Sequence, residues 1–252
     1  MSINAITFDF WQTLYKNRPV DHSARLYQLK ADIERGSGQS FTVEQIKAAV
    51  GVARDTWSRT WAIEHRTLSA HEWLTVMLAA LETSIPATHL HDIETRMENS
   101  LLEVPPEPVT EIAAVLPALA ARYRLGVISD TGLTPGRVLR QILETDGFAG
   151  YFTQLTFSDE IGRSKPHPDA FLITLDKLNA APEQAVHIGD LLRTDVLGAQ
   201  GVGMRGVQYV GVSRDDWSMG QAYPPETEVI PDAVIASHTE LLPLLARWNG
   251  AG

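Results

Sequence analysis

The chain contains no cysteine, and this absence excludes several classes of site. Without thiols there is no disulfide framework, no thiolate-bound zinc or iron–sulfur cluster and no cysteine nucleophile. The chain also lacks any apolar run near the roughly 18 residues that cross a membrane. Residues 1–10 lack the basic segment, apolar stretch and cleavage site of a secretion signal. We therefore expect a soluble protein of the cytoplasm with no membrane partner.

Positive charge is scarce relative to negative charge. The 252 residues include 21 Lys and Arg against 31 Asp and Glu, which leaves a formal net charge of −10 at pH 7. Nucleic-acid binding depends largely on Lys and Arg that neutralise backbone phosphates, so an acidic chain is poorly suited to it. We expect no nucleic-acid partner, and the sequence does not indicate an oligomeric state.

Two patterns of hydrophobicity divide the chain. Residues 3–8 are apolar, rich in β-branched and aromatic side chains and followed by an aspartate, which predicts a buried strand ending in a carboxylate. Apolar residues then recur at helical spacing in four successive segments, up to a proline-rich connection at residues 104–108. From residue 110 helix and strand signals alternate, which is typical of a largely parallel sheet covered by helices. The sequence therefore predicts an α/β fold into which a helical block is inserted.

Polar side chains follow three of the predicted strands. Asp9 follows the first strand, Ser129 and Asp130 follow the second, and Asp190 follows a third. Because ligands of open α/β sheets bind beyond the carboxyl ends of the strands, we expect these side chains to converge. Carboxylates for a hard cation, a hydroxyl and a cationic side chain such as Lys165 are what phosphoryl transfer requires.

The chain resembles the haloacid dehalogenase superfamily of hydrolases, in particular the members with a helical cap inserted after the first motif. Four segments in the expected order carry the resemblance: Asp9-Phe10-Trp11-Gln12-Thr13-Leu14, Val127-Ile128-Ser129-Asp130, Lys165-Pro166-His167-Pro168 and Gly189-Asp190-Leu191-Leu192-Arg193-Thr194-Asp195. The resemblance implies a Rossmann-like three-layer α/β core with a parallel sheet, residues 1–15 and 106–252. It also implies a small all-helical cap domain, residues 16–105.

The resemblance implies a Mg²⁺-dependent hydrolase, which we expect to be a phosphatase acting on a small phosphorylated metabolite. Asp9 would attack phosphorus and form an aspartyl-phosphate that water later hydrolyses. Mg²⁺ would be held by Asp9, the backbone carbonyl of Trp11 and Asp190, with Asp195 binding it directly or through water.

The resemblance also implies roles for the remaining residues of the four segments. Ser129 and neighbouring backbone N–H groups would hold the phosphoryl oxygens, while Lys165 would offset their charge and keep the nucleophile ionised. We count Trp11 and Asp130 among the substrate-binding residues together with Ser129 and Lys165. Thr13 joins the catalytic set as the residue that orients the loop after the nucleophile.

The chain departs from the family at the position two residues after the nucleophile. Family phosphatases carry a second Asp there, which acts as general acid and base, whereas this chain has Trp11, followed by Gln12 in place of the usual Gly. Indole cannot transfer that proton. General acid–base help is worth about 10²- to 10⁴-fold, so its loss should penalise alkyl phosphates more than aryl or acyl phosphates. We expect a slow or specialised enzyme, or another group in that role.

Trp11 also keeps three alternatives open. Family 2-haloacid dehalogenases carry an aromatic residue at this place but need no metal, and the retained Asp190 and Asp195 argue against that function. Phosphonate-cleaving members lack the second Asp but use a cap lysine, for which Lys30 and Lys47 are the candidates; ordinary solvated helix-face lysines are the favoured interpretation of both. A binding or scaffold protein that has lost activity is the third alternative.

Two further patterns involve aromatic and imidazole side chains. Trp57, Trp61 and His65 are spaced four residues apart, as on one face of a helix. We favour packing inside the helical block over a role in lining a substrate pocket. His187 lies in the middle of a predicted strand, where we expect a hydrogen-bonded or sheet-facing imidazole.

Overall fold

The computed structural model describes residues 2–212 and 229–250 of the chain. Six strands form one sheet in the order β5-β4-β1-β6-β7-β8, and every pair in it is parallel. These strands are β1 Ala5–Phe8, β4 Arg124–Ser129, β5 Phe152–Phe157, β6 Ala185–Gly189, β7 Arg205–Tyr209 and β8 Ala233–Ile235. Two short strands, β2 Tyr15–Lys16 and β3 Glu107–Pro108, pair antiparallel beside it.

The helices fall into two groups along the chain. Between β2 and β3 lie the four inserted helices, α1 His22–Ser37, α2 Val43–Arg59, α3 Ala70–Ala80 and α4 Ala87–Glu103, with a π-helix Thr60–Glu64 after α2. The later helices are α5 Ile112–Ala120, α6 Gly136–Thr145, α7 Ser158–Ile161, α8 Pro168–Lys177, α9 Leu197–Gly201 and α10 Leu241–Trp248, with a second π-helix, Leu192–Val196. Short 3₁₀ turns occupy Ala149–Tyr151, Pro182–Gln184 and His238–Glu240. Within the described residues no helix combines the length and apolarity needed to cross a bilayer.

The central strands align the sheet edge at which the polar residues emerge. β1 is buried along its whole length, as expected for a strand covered on both faces. Phe8, its last residue, pairs with Val127 of β4 and with Ile188 of β6, so the three strands end at nearly the same level. In the sheet β4 lies on one side of β1 and β6 lies on the other, so the strand order reverses at β1. The carboxyl end of β1 is therefore a topological switch point. The predicted parallel α/β fold is confirmed.

Separate hydrophobic clusters stabilise the sheet and the inserted helices. The sheet cluster contains β1, β4 and β6 side chains packed against α5, α6 and α10. A second cluster lies among the inserted helices and includes Ile33, Ile46, Leu74, Met77 and Ile93. Division of the chain into a core of residues 1–15 and 106–252 and a cap of residues 16–105 remains a prediction, and residues 1, 213–228 and 251–252 lie outside the described part.

His238 is a buried imidazole of the sheet cluster. Its ring centre lies 4.3 Å from that of Tyr209 and 6.0 Å from that of Phe8. Neither ring nitrogen has a hydrogen-bond partner within the part of the chain that the structure describes. Burial lowers the pKa of His238 to about 4, so the imidazole is neutral at pH 7.

This imidazole should make the stability of the fold depend on pH. Below its ordinary pKa of 6.5 the unfolded chain binds a proton at His238 that the folded chain does not bind until about pH 4. The contribution of His238 to the free energy of unfolding should therefore be largest above pH 6.5. It should fall by up to about 3 kcal/mol as the pH is lowered towards 4. Urea unfolding at several pH values measures this dependence. Between pH 6.5 and pH 4 the free energy of unfolding should change less with pH in His238→Phe than in the wild type. The same change with pH in both proteins would contradict this account.

Candidate active site

The loop after β1 presents Asp9 at the edge of the sheet. The Asp9 N–H donates to the carbonyl of Ile188 at 2.8 Å, which extends the ladder to the neighbouring strand. The chain then turns back, because the N–H groups of Leu14 and Tyr15 both donate to the carbonyl of Phe10. Gln12 completes this turn in the left-handed region at φ +56°, a conformation that favours glycine. The carboxylate therefore stands at the start of a tightly hydrogen-bonded loop.

Lys165 joins Asp9 to a second carboxylate. Its Nζ donates to Asp9 Oδ1 at 2.5 Å and to Asp195 Oδ1 at 2.6 Å. Lys165 is only 2% exposed, and Asp9 and Asp195 are 6% and 1% exposed. The ammonium and both carboxylates are thus withdrawn from water, where charged hydrogen bonds are strongest and an unpaired charge is most costly.

A π-helix brings Asp195 back towards the end of β6. Asp190 and Asp195 are five residues apart, and between them the backbone winds as Leu192–Val196 with a hydrogen bond from the Leu197 N–H to the Leu192 carbonyl. π-Turns of this kind are frequent at functional sites. A Cβ at Gly189 would lie 2.2 Å from the Asp195 Cγ, so only glycine fits at the end of the strand.

Asp9, Asp190 and Asp195 form one acidic cluster. Each offers a carboxylate oxygen, and these oxygens all lie within 4.8 Å of one another. Burial raises the pKa of Asp9 well above its ordinary value, and the charges of Asp195 and Asp190 add to this effect, while Lys165 opposes it. Three buried carboxylates face one ammonium, and hard divalent cations prefer oxygen ligands of this type. The residues present therefore fit a cation such as Mg²⁺.

The pKa values of Lys165 and Asp195 show how this pair shares its charges. Burial alone would lower the pKa of Lys165, but the carboxylates of Asp195, Asp9 and Asp130 outweigh it and raise that pKa above its ordinary value. Burial would likewise raise the pKa of Asp195, but Lys165 and His187 outweigh it and hold that pKa low. Lys165 is therefore an ammonium and Asp195 a carboxylate at neutral pH.

His187 holds Asp195 from inside the sheet. Its Nε2 lies 3.1 Å from Asp195 Oδ1, and its Nδ1 lies 2.8 Å from the hydroxyl of Thr7 on β1. Burial lowers the pKa of His187, so we assign a neutral ring that donates from Nε2 and accepts at Nδ1. The Leu191 N–H donates to Asp195 Oδ2 at 3.0 Å. The expected hydrogen-bonded imidazole is present, but its partner could not be identified from the sequence.

The loop after β4 holds Ser129 and Asp130. Ser129 is buried, and its Oγ donates to the Asp130 carbonyl at 3.3 Å. The Asp130 carboxylate accepts from the Lys165 backbone N–H at 2.8 Å and from the Trp61 indole N–H at 2.7 Å. The neighbouring Thr131 N–H donates to Ser158 Oγ at 2.8 Å, so a protein partner already occupies it. Each oxygen of the Asp130 carboxylate therefore already accepts a hydrogen bond from the protein. The role of Asp130 in substrate binding remains a prediction.

Trp11 and Thr13 lie in the loop after Asp9. Trp11 is partly exposed, packs on the sheet cluster and meets the Phe10 ring edge-on at 4.9 Å between ring centres. Thr13 is buried, and its Oγ1 has no hydrogen-bond partner among the described residues. Their predicted roles towards substrate and metal remain predictions.

The chain from Trp57 to Thr67 contacts the loops of the site. Trp57 and Trp61 stack at 5.4 Å between ring centres, and the Arg193 guanidinium carbon lies 4.4 Å from the Trp61 ring centre. The His65 carbonyl accepts from the Ser164 N–H at 2.7 Å. Trp57 packs on the cluster of the inserted helices, as expected, but Trp61 is buried against the loops of the site instead. Helical spacing could not reveal this, because α2 ends at Arg59 and a π-helix follows.

The two lysines considered for a Schiff base lie on the surfaces of the inserted helices. Lys30 forms an i,i+4 ion pair with Glu34 at 2.7 Å on α1, and Lys47 is exposed on α2. Both positions match the solvated helix-face interpretation. The contacts of these residues do not favour a phosphonate-cleaving mechanism.

Comparison with known sequences places this geometry in one family. A family model described as haloacid dehalogenase-like hydrolase matches residues 3–203. The 5-amino-6-(5-phospho-D-ribitylamino)uracil phosphatase YigB of Escherichia coli K12 is 30% identical over 213 residues, 81% of this chain and 82% of that protein. A glyceraldehyde 3-phosphate phosphatase of Pyrococcus furiosus is 34% identical over 131 residues, 51% of this chain, and the match spans half of that relative, 50%.

Solved structures show the same architecture. A 2-haloacid dehalogenase from Pseudomonas syringae pv. Tomato DC3000 is similar over 98% of this chain and 99% of its own, with a TM-score of 0.68 and 26% identity. A HAD phosphatase from Thermococcus onnurineus is similar over 96% of this chain and 98% of its own, with a TM-score of 0.63 and 21% identity, a likeness of fold alone. The resemblance drawn from the four sequence segments is confirmed.

The charge balance of the site predicts opposite effects of two substitutions on stability. Lys165→Met leaves buried carboxylates without their ammonium and should lower the free energy of unfolding by about 3 kcal/mol at pH 7. Asp9→Asn removes one buried carboxylate but keeps an oxygen for Lys165, and should raise it by about 1 kcal/mol. Urea unfolding in the presence of a chelator measures both; a destabilised Asp9→Asn protein would contradict the charge argument.

Proposed function

Because the chain belongs to the haloacid dehalogenase-like hydrolases, we propose that it is a Mg²⁺-dependent phosphatase acting on a small phosphorylated metabolite. The observation that carries the proposal is the buried group in which Lys165 Nζ contacts Asp9 beside Asp190 and Asp195. The relatives that are named phosphatases support the same reaction class. A cytoplasmic location and the absence of a nucleic-acid partner remain predictions from composition.

Asp9 is the nucleophile of the proposed reaction. Its free carboxylate oxygen attacks phosphorus in line with the ester oxygen, a P–O bond to Asp9 forms, and the bond to the leaving oxygen breaks. Water then attacks the aspartyl-phosphate, releases inorganic phosphate and regenerates the carboxylate. The hydrogen bond from Lys165 supports this role, because the ammonium engages Oδ1 of Asp9 and leaves Oδ2 for the attack.

Lys165 and Ser129 are proposed to bind the transferred phosphoryl group. An ammonium has three donors, and Asp9 and Asp195 occupy two of those of Lys165, so one remains for a phosphoryl oxygen. The Ser129 hydroxyl makes only a long contact to its neighbour's carbonyl and can rotate towards another oxygen. Charge neutralisation and positioning of this kind supply most of the catalysis in phosphoryl transfer.

Asp9, Asp190 and the Trp11 carbonyl are the proposed ligands of Mg²⁺. When bound, the ion would offset the charge of the phosphoryl oxygens and of the clustered carboxylates. The Asp195 oxygens are less available to the ion, because Oδ1 already accepts hydrogen bonds from Lys165 and His187 and Oδ2 accepts one from Leu191. This supports contact of Asp195 with the ion through water rather than directly.

A second candidate function is displacement of halide from a 2-haloacid by Asp9. The aromatic Trp11 and the similarity to a Pseudomonas syringae 2-haloacid dehalogenase favour it. The acidic cluster argues against it, because that chemistry needs no metal and gains nothing from three buried carboxylates. Release of halide from 2-haloacids in the presence of a chelator, with no release of phosphate from any ester, would select this function.

The nucleophile assignment predicts the loss of turnover in Asp9→Asn. An amide oxygen does not form the acyl-phosphate, so we expect phosphate release from aryl, acyl and sugar phosphates to fall more than about a thousandfold. A chelator should abolish wild-type turnover, and Mg²⁺ should restore it. Lys47→Gln on the exposed surface of α2 serves as the matched control and should retain wild-type rates. Turnover that survives in Asp9→Asn would rule out the mechanism.

The missing proton donor predicts a selective gain in Trp11→Asp. An acid at this position can protonate an alkoxide leaving group, whereas a phenolate leaves without such help. Trp11→Asp should therefore raise turnover of alkyl phosphates by about tenfold or more and change that of aryl phosphates much less. Trp11→Asn controls for the change in size. Equal effects on both substrate classes would show that Trp11 acts through packing of the loop.

A further inference from the structure

Trp61, which belongs to the inserted helical segment, forms a hydrogen bond with the loop after β4 that carries Ser129 and Asp130. It lies in the π-helix Thr60–Glu64 and is 4% exposed. Its indole N–H donates to Asp130 Oδ2 at 2.7 Å. The other oxygen of the same carboxylate accepts from the Lys165 backbone N–H at 2.8 Å. One carboxylate therefore links an inserted tryptophan to the backbone of the lysine that contacts Asp9.

We propose that Trp61 is a positioning residue for phosphoryl binding, whose indole N–H keeps the Asp130 carboxylate turned away from the phosphoryl site. The inference rests on the proposed function, because it takes Ser129 and Lys165 as the residues that bind the phosphoryl group. Trp61 itself need not touch the substrate. Its effect passes through Asp130, which follows Ser129 directly in the loop after β4.

The position of Asp130 makes its orientation matter. A carboxylate beside Ser129 repels a phosphoryl dianion if it rotates towards it, and solvent screens this repulsion poorly because Ser129 and Lys165 are buried. Each Asp130 oxygen instead has one N–H donor, from Trp61 and from Lys165. Without the indole N–H, one oxygen loses its donor and the carboxylate is free to turn towards the phosphoryl group.

The surroundings of Trp61 fix the direction of its N–H. The Trp57 ring stacks on it at 5.4 Å between centres, and the Arg193 guanidinium carbon lies 4.4 Å from its ring centre. The hydrogen bond from the Ser164 N–H to the His65 carbonyl anchors the backbone four residues further on. The stacked ring and the guanidinium restrict tilting of the indole, and the backbone hydrogen bond at His65 restrains the segment that carries it. A positioning role requires a side chain that is restrained in this way.

Phosphate affinity in a double-mutant cycle tests this inference. Inorganic phosphate is titrated calorimetrically into full-length protein with saturating Mg²⁺, for Trp61→Phe in the wild-type and the Asp130→Asn backgrounds. Phenylalanine keeps an aromatic ring but has no N–H, so we expect about tenfold weaker binding when Asp130 is charged. The same substitution should cost less than about threefold in the Asp130→Asn background, where no charge needs to be held.

Trp73→Phe is the matched control for this cycle. Trp73 lies on α3 in the hydrophobic cluster of the inserted helices. The substitution removes an indole N–H that makes no hydrogen bond to any described residue, and it should leave phosphate affinity within about twofold of the wild type. If Trp61→Phe does not fold, as judged by circular dichroism, Trp61→Tyr replaces it in both backgrounds, because its O–H leaves the ring at a different place from the indole N–H.

The outcomes separate this inference from the proposed function. Wild-type protein that binds no phosphate would overturn the proposed function and this inference with it. Wild-type binding together with unchanged affinity in Trp61→Phe would overturn only the inference. Equal losses in the two backgrounds would do the same, because a purely structural role of Trp61 does not depend on the charge at position 130.

Discussion

The lysine ammonium buried among carboxylates is the interaction on which the rest of the site depends. Lys165 is almost inaccessible to water, and its Nζ contacts both Asp9 and Asp195. A charge in such a place is tolerated only when it is paired and hydrogen-bonded. The fold meets this condition by ending β1 and β6 at the same level and by winding a π-helix that returns Asp195 to the end of β6.

The same group leaves the site with more negative than positive charge. Asp9, Asp190 and Asp195 lie close together against a single ammonium, and burial, with the charges of Asp195 and Asp190 adding to it, raises the pKa of Asp9. Such a site lowers the stability of the empty protein and gains from a bound cation, a common compromise between stability and activity. The acidic cluster is thus better explained by the needs of a ligand than by those of folding.

Two tryptophans lie at the loops of the site. Trp11 packs on the sheet cluster at the position where family phosphatases have an acid, and it brings no exchangeable proton of use to a leaving group. Trp61 brings an N–H from the inserted helices to Asp130, beside Ser129. Trp11 thus supplies no acid to the loop after Asp9, whereas Trp61 supplies a hydrogen bond to the loop after β4.

Local patterns in the sequence determined the parallel α/β fold, the family and the residues at the strand ends. Asp9, Ser129 and Asp190 were identifiable because short apolar runs predict strands, and parallel strands present their carboxyl ends on one side. Lys165 was identifiable from the loop segment that carries the family resemblance. Only the tertiary structure decided which side chains of the site pair with one another. It pairs Lys165 with Asp195, His187 with Thr7 and Trp61 with Asp130. These partners are far apart along the chain or are joined by irregular turns, and their contacts depend on side-chain direction and packing, which periodicity does not encode.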